Sequence, residues 1–412
     1  MNDLPESDII VDRLVHAHHS LRIAFVTETY PPEVNGVALT IQKIVEGLYT
    51  LGHNIELIRP RQRGADSLDK EQRFHEVLTK SIPIPKYPQL RMGLPSQGAL
   101  VKRWSKNRPD VVHIATEGPL GWSALRAALK LKLPVTSDFR TNFHAYSKYY
   151  GVGWLNKPIM AYLRKFHNRT HCTMVPTQQL KLQLEKLGYK QLEVVSRGVD
   201  TLRFSPQRRS EALRASYGIA PDEVLITCVG RLAAEKNLHA LIEAFHAAKE
   251  RQPKTRLMLV GDGPLKDELR QLCPQAIFAG QQKGLALAEH YASADLFVFP
   301  SMTETFGNVT IEAMASGLPV VAFNDAAAAQ LIAHGDNGYL ADFGNNQQLV
   351  QLTVNLAGDA AKRRHLSQQA RQTAQALDWR NIVRQFESHL HQAVGVPQSL
   401  PIALFEEGYV AP

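Results

Sequence analysis

The chain has 412 residues, 44% of them hydrophobic and 21% charged, with a formal net charge of +8. That length is too great for one ordinary core and predicts two domains, and the composition is that of a soluble globular protein. No apolar run is long enough to span a bilayer, which excludes an integral membrane protein built from helices.

Residues 1–20 are acidic and mixed, without the basic-then-apolar order of a secretory signal. Arg22–Thr27 is a run of apolar and β-branched residues and predicts a buried strand. A loop through Gly36 leads to a helix around Leu39–Leu51, stopped by Gly52. Asn54–Ile58, Val111–Ile114 and Val135–Ser137 are further strands, the last two separated by a helix after Pro119. The pattern restarts after Arg197-Gly198-Val199-Asp200, and Phe204-Ser205-Pro206 reads as a linker. Strands are then predicted at Val224–Val229, Arg256–Val260, Ala276–Ala279, Asp295–Phe299 and Val320–Phe323, each followed by a helix or loop. Helices around Asp359–Ala376 and Trp379–Ala393 close the second half, and residues 396–412, with three prolines, read as a loosely ordered tail.

Alternating short strands and helices imply parallel sheets covered on both faces. The fold class is therefore α/β, with two doubly wound domains over residues 1–200 and 201–395. Ligands bind such sheets at the carboxyl ends of the strands, so two facing halves place the site in the cleft between them. Cys172, Cys228 and Cys273 are widely spaced near apolar strands. They read as reduced core residues of a cytoplasmic protein, not as a disulfide or zinc framework.

Two segments of the second half carry chemistry. After Asp295–Phe299 a polar turn holds Glu304, and a helix starting near Gly307-Asn308 carries Glu312 in its first turns. N–H groups at a helix start hold an anion, and ionised carboxylates accept hydrogen bonds from sugar hydroxyls. A strand end with both is what a nucleotide-sugar site needs. Arg231 and Lys236 follow Val229-Gly230, five apart on a strand-to-helix loop. Such a pair can clamp a pyrophosphate, Arg with its planar fork and Lys as a point charge; a solvated surface is the plainer alternative. In the first half, Asn35-Gly36 follows Pro31-Pro32. Gly36 either lets the backbone approach a phosphate or simply makes a turn. No Asp-x-Asp pair occurs, so no catalytic metal and no cofactor are expected.

The stretch from Glu304 to Glu312, continued by Ala313-Met314-Ala315-Ser316-Gly317-Leu318-Pro319-Val320, resembles the glutamate-x7-glutamate signature of retaining glycosyltransferases with the GT-B fold, family 4. Three other segments agree in order: Thr27-Glu28-Thr29-Tyr30-Pro31-Pro32 with Asn35-Gly36-Val37, Val229-Gly230-Arg231-Leu232 with Glu235-Lys236-Asn237, and Val260-Gly261-Asp262-Gly263-Pro264. The resemblance spans residues 21–395. It implies two Rossmann-like domains, the first for the acceptor and the second for the nucleotide sugar, with the final helix crossing back to the first. It further implies that Arg231 and Lys236, beside Gly230, hold the donor diphosphate and that Glu312 accepts from the ribose hydroxyls. Glu304 would meet the transferred sugar, helped by backbone N–H groups of Thr305, Phe306 and Gly307, with the base near Phe278. A strand-end Phe is more often a core residue.

Relatives often place a His where this chain has Arg140, in Phe139-Arg140-Thr141-Asn142-Phe143-His144. Arg140 offers a cation beside the diphosphate or acceptor, and His144 either replaces the missing His or is an ordinary structural residue. His113 ends its strand at the cleft, as a site group or a satisfied polar residue, and Glu117-Gly118-Pro119 begins a helix on the acceptor side.

The first 200 residues hold 28 Lys and Arg against 18 Asp and Glu, and residues 201–412 hold 19 against 21. The basic excess thus lies in the first half, as a solvated surface or as attraction to an anionic membrane or nucleic acid. In residues 86–108, Leu100 and Trp104 lie one helical turn apart among Lys102, Arg103, Lys106 and Arg108. Such a helix either lies in a membrane interface with apolar anchors or packs with a solvated basic face.

The Thr29–Val37 segment and Ile58-Arg59-Pro60-Arg61-Gln62 most resemble those of GDP-mannose-dependent α-mannosyltransferases. The expected activity is transfer of mannose from GDP-mannose to a lipid or glycan hydroxyl at the inner membrane face. A UDP-sugar-dependent diacylglycerol glycosyltransferase is the alternative. A Rossmann oxidoreductase fits poorly, because Pro264 breaks the Gly-x-Gly-x-x-Gly pattern. A nucleic-acid binder lacks a recognised module. A catalytically silent nucleotide-sugar module is disfavoured by the intact Glu304, Glu312, Arg231 and Lys236.

Overall fold

The computed structural model describes residues 19–33, 36–62, 74–84, 87–139, 156–304 and 306–395. Asn35, Arg140, His144, Thr305 and the tail 396–412 lie outside the described residues. In chain order the first nine strands are β1 (Arg22–Val26), β2 (Asn54–Pro60), β3 (His75–Thr79), β4 (Ser81–Ile84), β5 (Tyr87–Gly93), β6 (Val111–Ile114), β7 (Val135–Asp138), β8 (Cys172–Val175) and β9 (Leu192–Val194). β4 and β5 form an antiparallel hairpin, and the other seven make a parallel sheet in the order β3-β2-β1-β6-β7-β8-β9. A second parallel sheet, ordered β12-β11-β10-β13-β14-β15, is built from β10 (Val224–Val229), β11 (Thr255–Val260), β12 (Ile277–Gly280), β13 (Leu296–Phe299), β14 (Val320–Phe323) and β15 (Gly338–Ala341).

The central strands were the easiest to read. Every residue of β6, β10, β13 and β14 is buried, as a strand covered by helices on both faces requires. Sequence reading missed β3, β9 and β15, which are sheet edges with mixed polar and apolar residues, and also the hairpin and β8.

Two readings of the first half are corrected. Leu100 and Trp104 are buried in the first domain's core, where Trp104 Nε1 donates to Glu56 Oε2 at 3.2 Å. Helix Gln97–Lys106 therefore packs with its basic side, Lys102 and Lys106, outward, and its apolar residues are not membrane anchors. Phe204-Ser205-Pro206 is not an open linker: Phe204 is buried in the second core against Tyr291, ring centroids 5.7 Å apart. The three cysteines are free thiols, all buried.

The last helix, Trp379–Val394, leaves the second domain and lies on the first. Its buried Ile382, Val383, Phe386 and Leu390 recur at helical spacing and face one side. Phe386 stacks on Phe25 of β1 at 6.3 Å and meets the His113 ring at 4.7 Å. Gly47 permits the contact, since a Cβ there would stand 2.5 Å from Val383 Cγ2. At the helix start Asp378 accepts from the Arg380 backbone N–H at 3.0 Å and from the Thr201 hydroxyl, which joins the two chain crossings between domains. Replacing Phe386 by Ala leaves a cavity under this helix. We expect a loss of about 3–5 kcal/mol in the denaturant unfolding of the first domain.

Candidate active site

In each sheet the strand order reverses once, at β1/β6 in the first and β10/β13 in the second. At such a point the following loops turn to opposite faces and leave a crevice at the carboxyl edge. β10 and β13 are parallel neighbours, with Ile226 opposite Leu296. The loop carrying Arg231 and Lys236 and the loop carrying Glu304 therefore emerge side by side.

The structure joins them. Lys236 Nζ forms an ion pair with Glu304 Oε1, and both side chains are mostly buried. Ser301 Oγ donates to the same carboxylate oxygen at 2.9 Å, and Lys236 Nζ reaches Ser301 Oγ at 3.3 Å. The Lys236 ammonium also stands 5.5 Å from the Phe299 ring centroid. Arg231, in contrast, is exposed on the same loop. Gly230 offers the cleft room and no donor, because its N–H is bonded to the Val260 carbonyl at 3.0 Å. The neighbouring Gly261, at φ +150°, would put a Cβ 1.9 Å from the Gly230 carbonyl oxygen, so only glycine fits there.

Helix Asn308–Ala315 begins after Gly307, whose φ of +93° turns the chain sharply into it. Glu312 lies within this helix and accepts from the Tyr291 hydroxyl at 3.0 Å. Burial pushes its carboxyl up to about 7, against the downward pull of that hydrogen bond and of the Arg203 charge. Phe306 is a buried core residue, and its carbonyl accepts from Ala327 N–H at 2.8 Å. Phe278 is half-buried within edge strand β12, two residues before its end, with the Arg270 guanidinium 5.3 Å from its ring centroid.

The opposite wall comes from the first domain. Helix Gly36–Thr50 starts at the exposed Gly36, and Arg197 Nη1 lies 3.6 Å from where a Gly36 Cβ would stand. Arg197 Nη1 also donates to Asn308 Oδ1 at 3.3 Å, so one side chain touches both helix starts. Glu28, mostly buried, accepts from Gly93 N at 2.6 Å and Leu120 N at 2.8 Å. Burial raises its carboxyl above the usual range despite those bonds. His113 is fully buried between Phe25 and Phe386 and bonds Thr136 at 2.9 Å, so it belongs to the core beneath the crossing helix. Glu117 is also buried, paired with His167 at 3.2 Å.

Sequence reading gave Arg197, Glu28 and Tyr291 no role. Arg197 and Glu28 stand only inside the segments Arg197-Gly198-Val199-Asp200 and Thr27-Glu28-Thr29, read there without a role of their own, and Tyr291 stands in no motif. Among the described residues, His53, Glu387 and His391 form the one cluster with metal-ligand chemistry. Leu21 N–H donates to His53 Nδ1 at 3.0 Å, which commits the proton of neutral His53 to Nε2, 2.8 Å from Glu387. The cluster is thus a hydrogen-bonded clasp between the first domain and the crossing helix, away from the cleft.

Comparison with known proteins agrees with this geometry. Residues 34–203 match the family model described as Glycosyltransferase Family 4, and residues 209–373 match that of Glycosyl transferases group 1. A GDP-mannose-dependent alpha-mannosyltransferase of Mycolicibacterium smegmatis is 32% identical over 91% of this chain and 98% of its own length. The chain belongs to glycosyltransferase family 4. An alpha-monoglucosyldiacylglycerol synthase of Acholeplasma laidlawii is 27% identical, covering 82% of this glycosyltransferase and 88% of the relative. The crystal structure of Anabaena Alr3699/HepE in complex with UDP superposes with a TM-score of 0.72 over 90% of this chain and 100% of that one, at 20% identity. The glycosyltransferase has the GT-B arrangement: two parallel-sheet domains facing across a cleft.

The Glu312 carboxyl gives a direct test. It titrates near 4.5 when exposed and about 7 in the folded protein. The unfolded chain therefore ionises first, so stability falls as pH rises from about 4.5 to about 7 and is level above. Glu312→Gln should abolish that slope and raise stability at pH 8 by roughly 2–3 kcal/mol, read from denaturant titrations at a series of pH values.

Proposed function

We propose that this glycosyltransferase moves mannose from GDP-mannose to a lipid or glycan hydroxyl, with retention at the anomeric carbon and without a metal ion. The observation that carries the reading is the meeting of Lys236, Glu304 and Ser301 at the β10/β13 edge, with Glu312 on the adjoining helix. This edge offers a cation for the leaving diphosphate, a carboxylate for the sugar hydroxyls and a carboxylate for the ribose. The acceptor oxygen attacks the anomeric carbon on the face from which the diphosphate departs. The carbon–oxygen bond to diphosphate breaks as the new glycosidic bond forms, and the acceptor proton passes to a diphosphate oxygen. Lys236, held against Glu304 and Phe299, is positioned in advance for the charge that grows on the leaving group.

The mannosyl donor is favoured by the likeness to the Mycolicibacterium enzyme over nearly the full length of both chains. A UDP-sugar donor with diacylglycerol as acceptor is the second reading, favoured by the likeness to the Acholeplasma synthase. No described helix is long and apolar enough to cross a membrane. An anionic membrane surface would be met by exposed cations such as Lys102 and Lys106, without apolar anchors from that helix.

The deciding assay offers GDP-mannose, UDP-glucose and UDP-glucuronic acid with membrane lipid extract, with and without EDTA. Transfer from GDP-mannose, unchanged by EDTA, is expected; transfer from a UDP-sugar alone would establish the second reading, and loss with EDTA would disprove metal independence. Lys236→Ala should lower kcat by about 10²–10³-fold. A kcat equal to wild type would remove Lys236 from the leaving-group role. Because an ionised carboxylate accepts from ribose hydroxyls more strongly than a protonated one, GDP affinity should rise between pH 6 and pH 8 as Glu312 ionises, and Glu312→Gln should flatten that profile in calorimetric titration.

A further inference from the structure

The first sheet has a second edge, where its strands begin. Arg22 opens β1, Asn54 opens β2, His75 opens β3, and Arg108-Pro109-Asp110 leads into β6. Parallel pairing sets Arg22 beside Asn54, Ala24 beside Glu56, and Glu56 beside His75. Residues two apart on a strand share a face, so all of these lie on one side of the sheet. Helix Gln97–Lys106 packs on that side, where Arg103 and Trp104 both donate to Glu56. Ala24 is too small to fill the space beside them, and a cavity of about 420 Å³ opens there. Four cations line it, Arg22, Arg103, Lys106 and Arg108, against one carboxylate, Glu56. Each guanidinium is held on one side. Arg22 Nη2 donates to Asp110 at 2.9 Å, Arg103 Nε to Glu56 at 2.7 Å, and Arg108 Nη2 to the Leu131 carbonyl at 2.9 Å. Among the described residues the Nη1 group of each of the three has no partner, and neither has the Lys106 ammonium. Arg103 Nη2 also meets His75 Nε2 at 2.6 Å; because arginine only donates, neutral His75 carries its proton on Nδ1 and is a further donor.

We propose that this cavity binds a small soluble molecule carrying two or more phosphate groups, at the edge of the first domain opposite the catalytic cleft. Asp110 and Glu56 offset two of the four cationic charges, and the rest have no counter-ion among the described residues. Guanidiniums already fixed by a partner lose little freedom on meeting an oxyanion, and each unbonded Nη1 is a charge-assisted donor. Separately mounted donors of this kind exceed what one monoanion meets, whereas each phosphate group brings several acceptor oxygens and about two negative charges. The shape favours a soluble ligand. Ala24 is fully buried and Glu56 half-buried, so the donors stand around a hollow, and a flat bilayer would meet only the exposed Lys106 and Arg108 at its rim. β1 carries Arg22 at this edge and leads at its other end into the Thr27–Gly36 loop, so the cavity and the cleft are separated by roughly 16 Å of strand. The site is therefore independent of the donor reading.

The test titrates fructose 1,6-bisphosphate, as a probe of the chemistry, into the full chain and follows binding by calorimetry and phosphorus NMR. Wild type is compared with the double variant Lys106→Gln/Arg108→Gln and with Lys236→Ala. We expect one site per chain, with affinity about 10–100-fold lower in the double variant and unchanged within about twofold in Lys236→Ala. Fructose 6-phosphate, with a single phosphate, should bind wild type about tenfold or more weakly than the bisphosphate. Equal affinity in wild type and the double variant, loss confined to Lys236→Ala, or equal affinity for the two sugars each overturns the proposal. So does the absence of binding up to about 5 mM probe, far above the range of a specific site. Thermal melting checks the fold. Should the double variant fail to melt cooperatively, Lys106→Gln decides alone, because that ammonium has no partner to lose: an affinity lower by about 3–10-fold supports the site, and an unchanged one overturns it. Sedimentation with vesicles of phosphatidylglycerol and phosphatidylcholine separates the lipid source. Vesicle binding that depends on Lys106 and Arg108, in a protein that ignores the bisphosphate, overturns the soluble ligand in favour of a headgroup contact.

Discussion

Parallel strands cannot be joined by hairpins, and that constraint organises the whole molecule. Each strand must be followed by a crossover, so every loop that leaves a carboxyl end emerges on the same edge of its sheet, with a helix start close behind. Where the strand order reverses, at β1/β6 and at β10/β13, neighbouring loops part and leave space between them. The loops of Gly36, Lys236 and Glu304 all stand at these two reversals. Their partly positive helix starts and their polar side chains are thus consequences of topology before they are features of chemistry.

The second constraint is the helix Trp379–Val394. Two domains linked by one strand of chain would be expected to move freely against each other. Here the chain crosses twice, and Asp378 ties the two crossings together through Thr201 and the bridge to Val199. The crossing helix then sits on β1 through Phe386 and on the edge of the first sheet through Gln385, which donates to the Val194 carbonyl at 2.8 Å. Because β1 also leads into the Thr27–Gly36 loop, the helix anchors the strand that presents the first-domain wall of the cleft. The core of the first domain and the geometry of the site are in this way one structural problem.

The charges of the cleft are held by local partners that keep them partly out of water. Lys236 and Glu304 neutralise each other, Glu312 rests on the Tyr291 hydroxyl, and Glu28 is gripped by backbone N–H groups of the hairpin and of helix Pro119–Lys130. Such groups interact strongly because burial lowers the local dielectric, and the same burial makes each expensive to leave alone. The Glu312 carboxyl shows the cost most plainly, since its affinity for a proton is raised toward neutrality. A ligand that brings hydroxyls and phosphate oxygens supplies what these groups otherwise take from each other.

Much was legible in the amino-acid sequence. Fully apolar runs such as Val224–Val229 and Val320–Phe323 can only be central strands, and the ordered motifs around Gly230, Glu304 and Glu312 identified the family and pointed to the cleft. Short-range periodicity also placed helix Gln97–Lys106, but it could not say which neighbour its apolar side would meet. The fold answered with Glu56 and the sheet, so Leu100 and Trp104 became core. Edge strands such as β9 escaped notice because a strand with one neighbour needs no continuous apolar run. The Lys236–Glu304 pair, the Tyr291 support of Glu312 and the position of Arg197 between two domains join residues 68, 21 and 111 positions apart. Sequence alone determined the elements and the residue types at strand ends, since both follow from local patterns. Only tertiary structure decided which of those residues share a site, because that depends on sheet order and on a helix that returns from the far end of the chain.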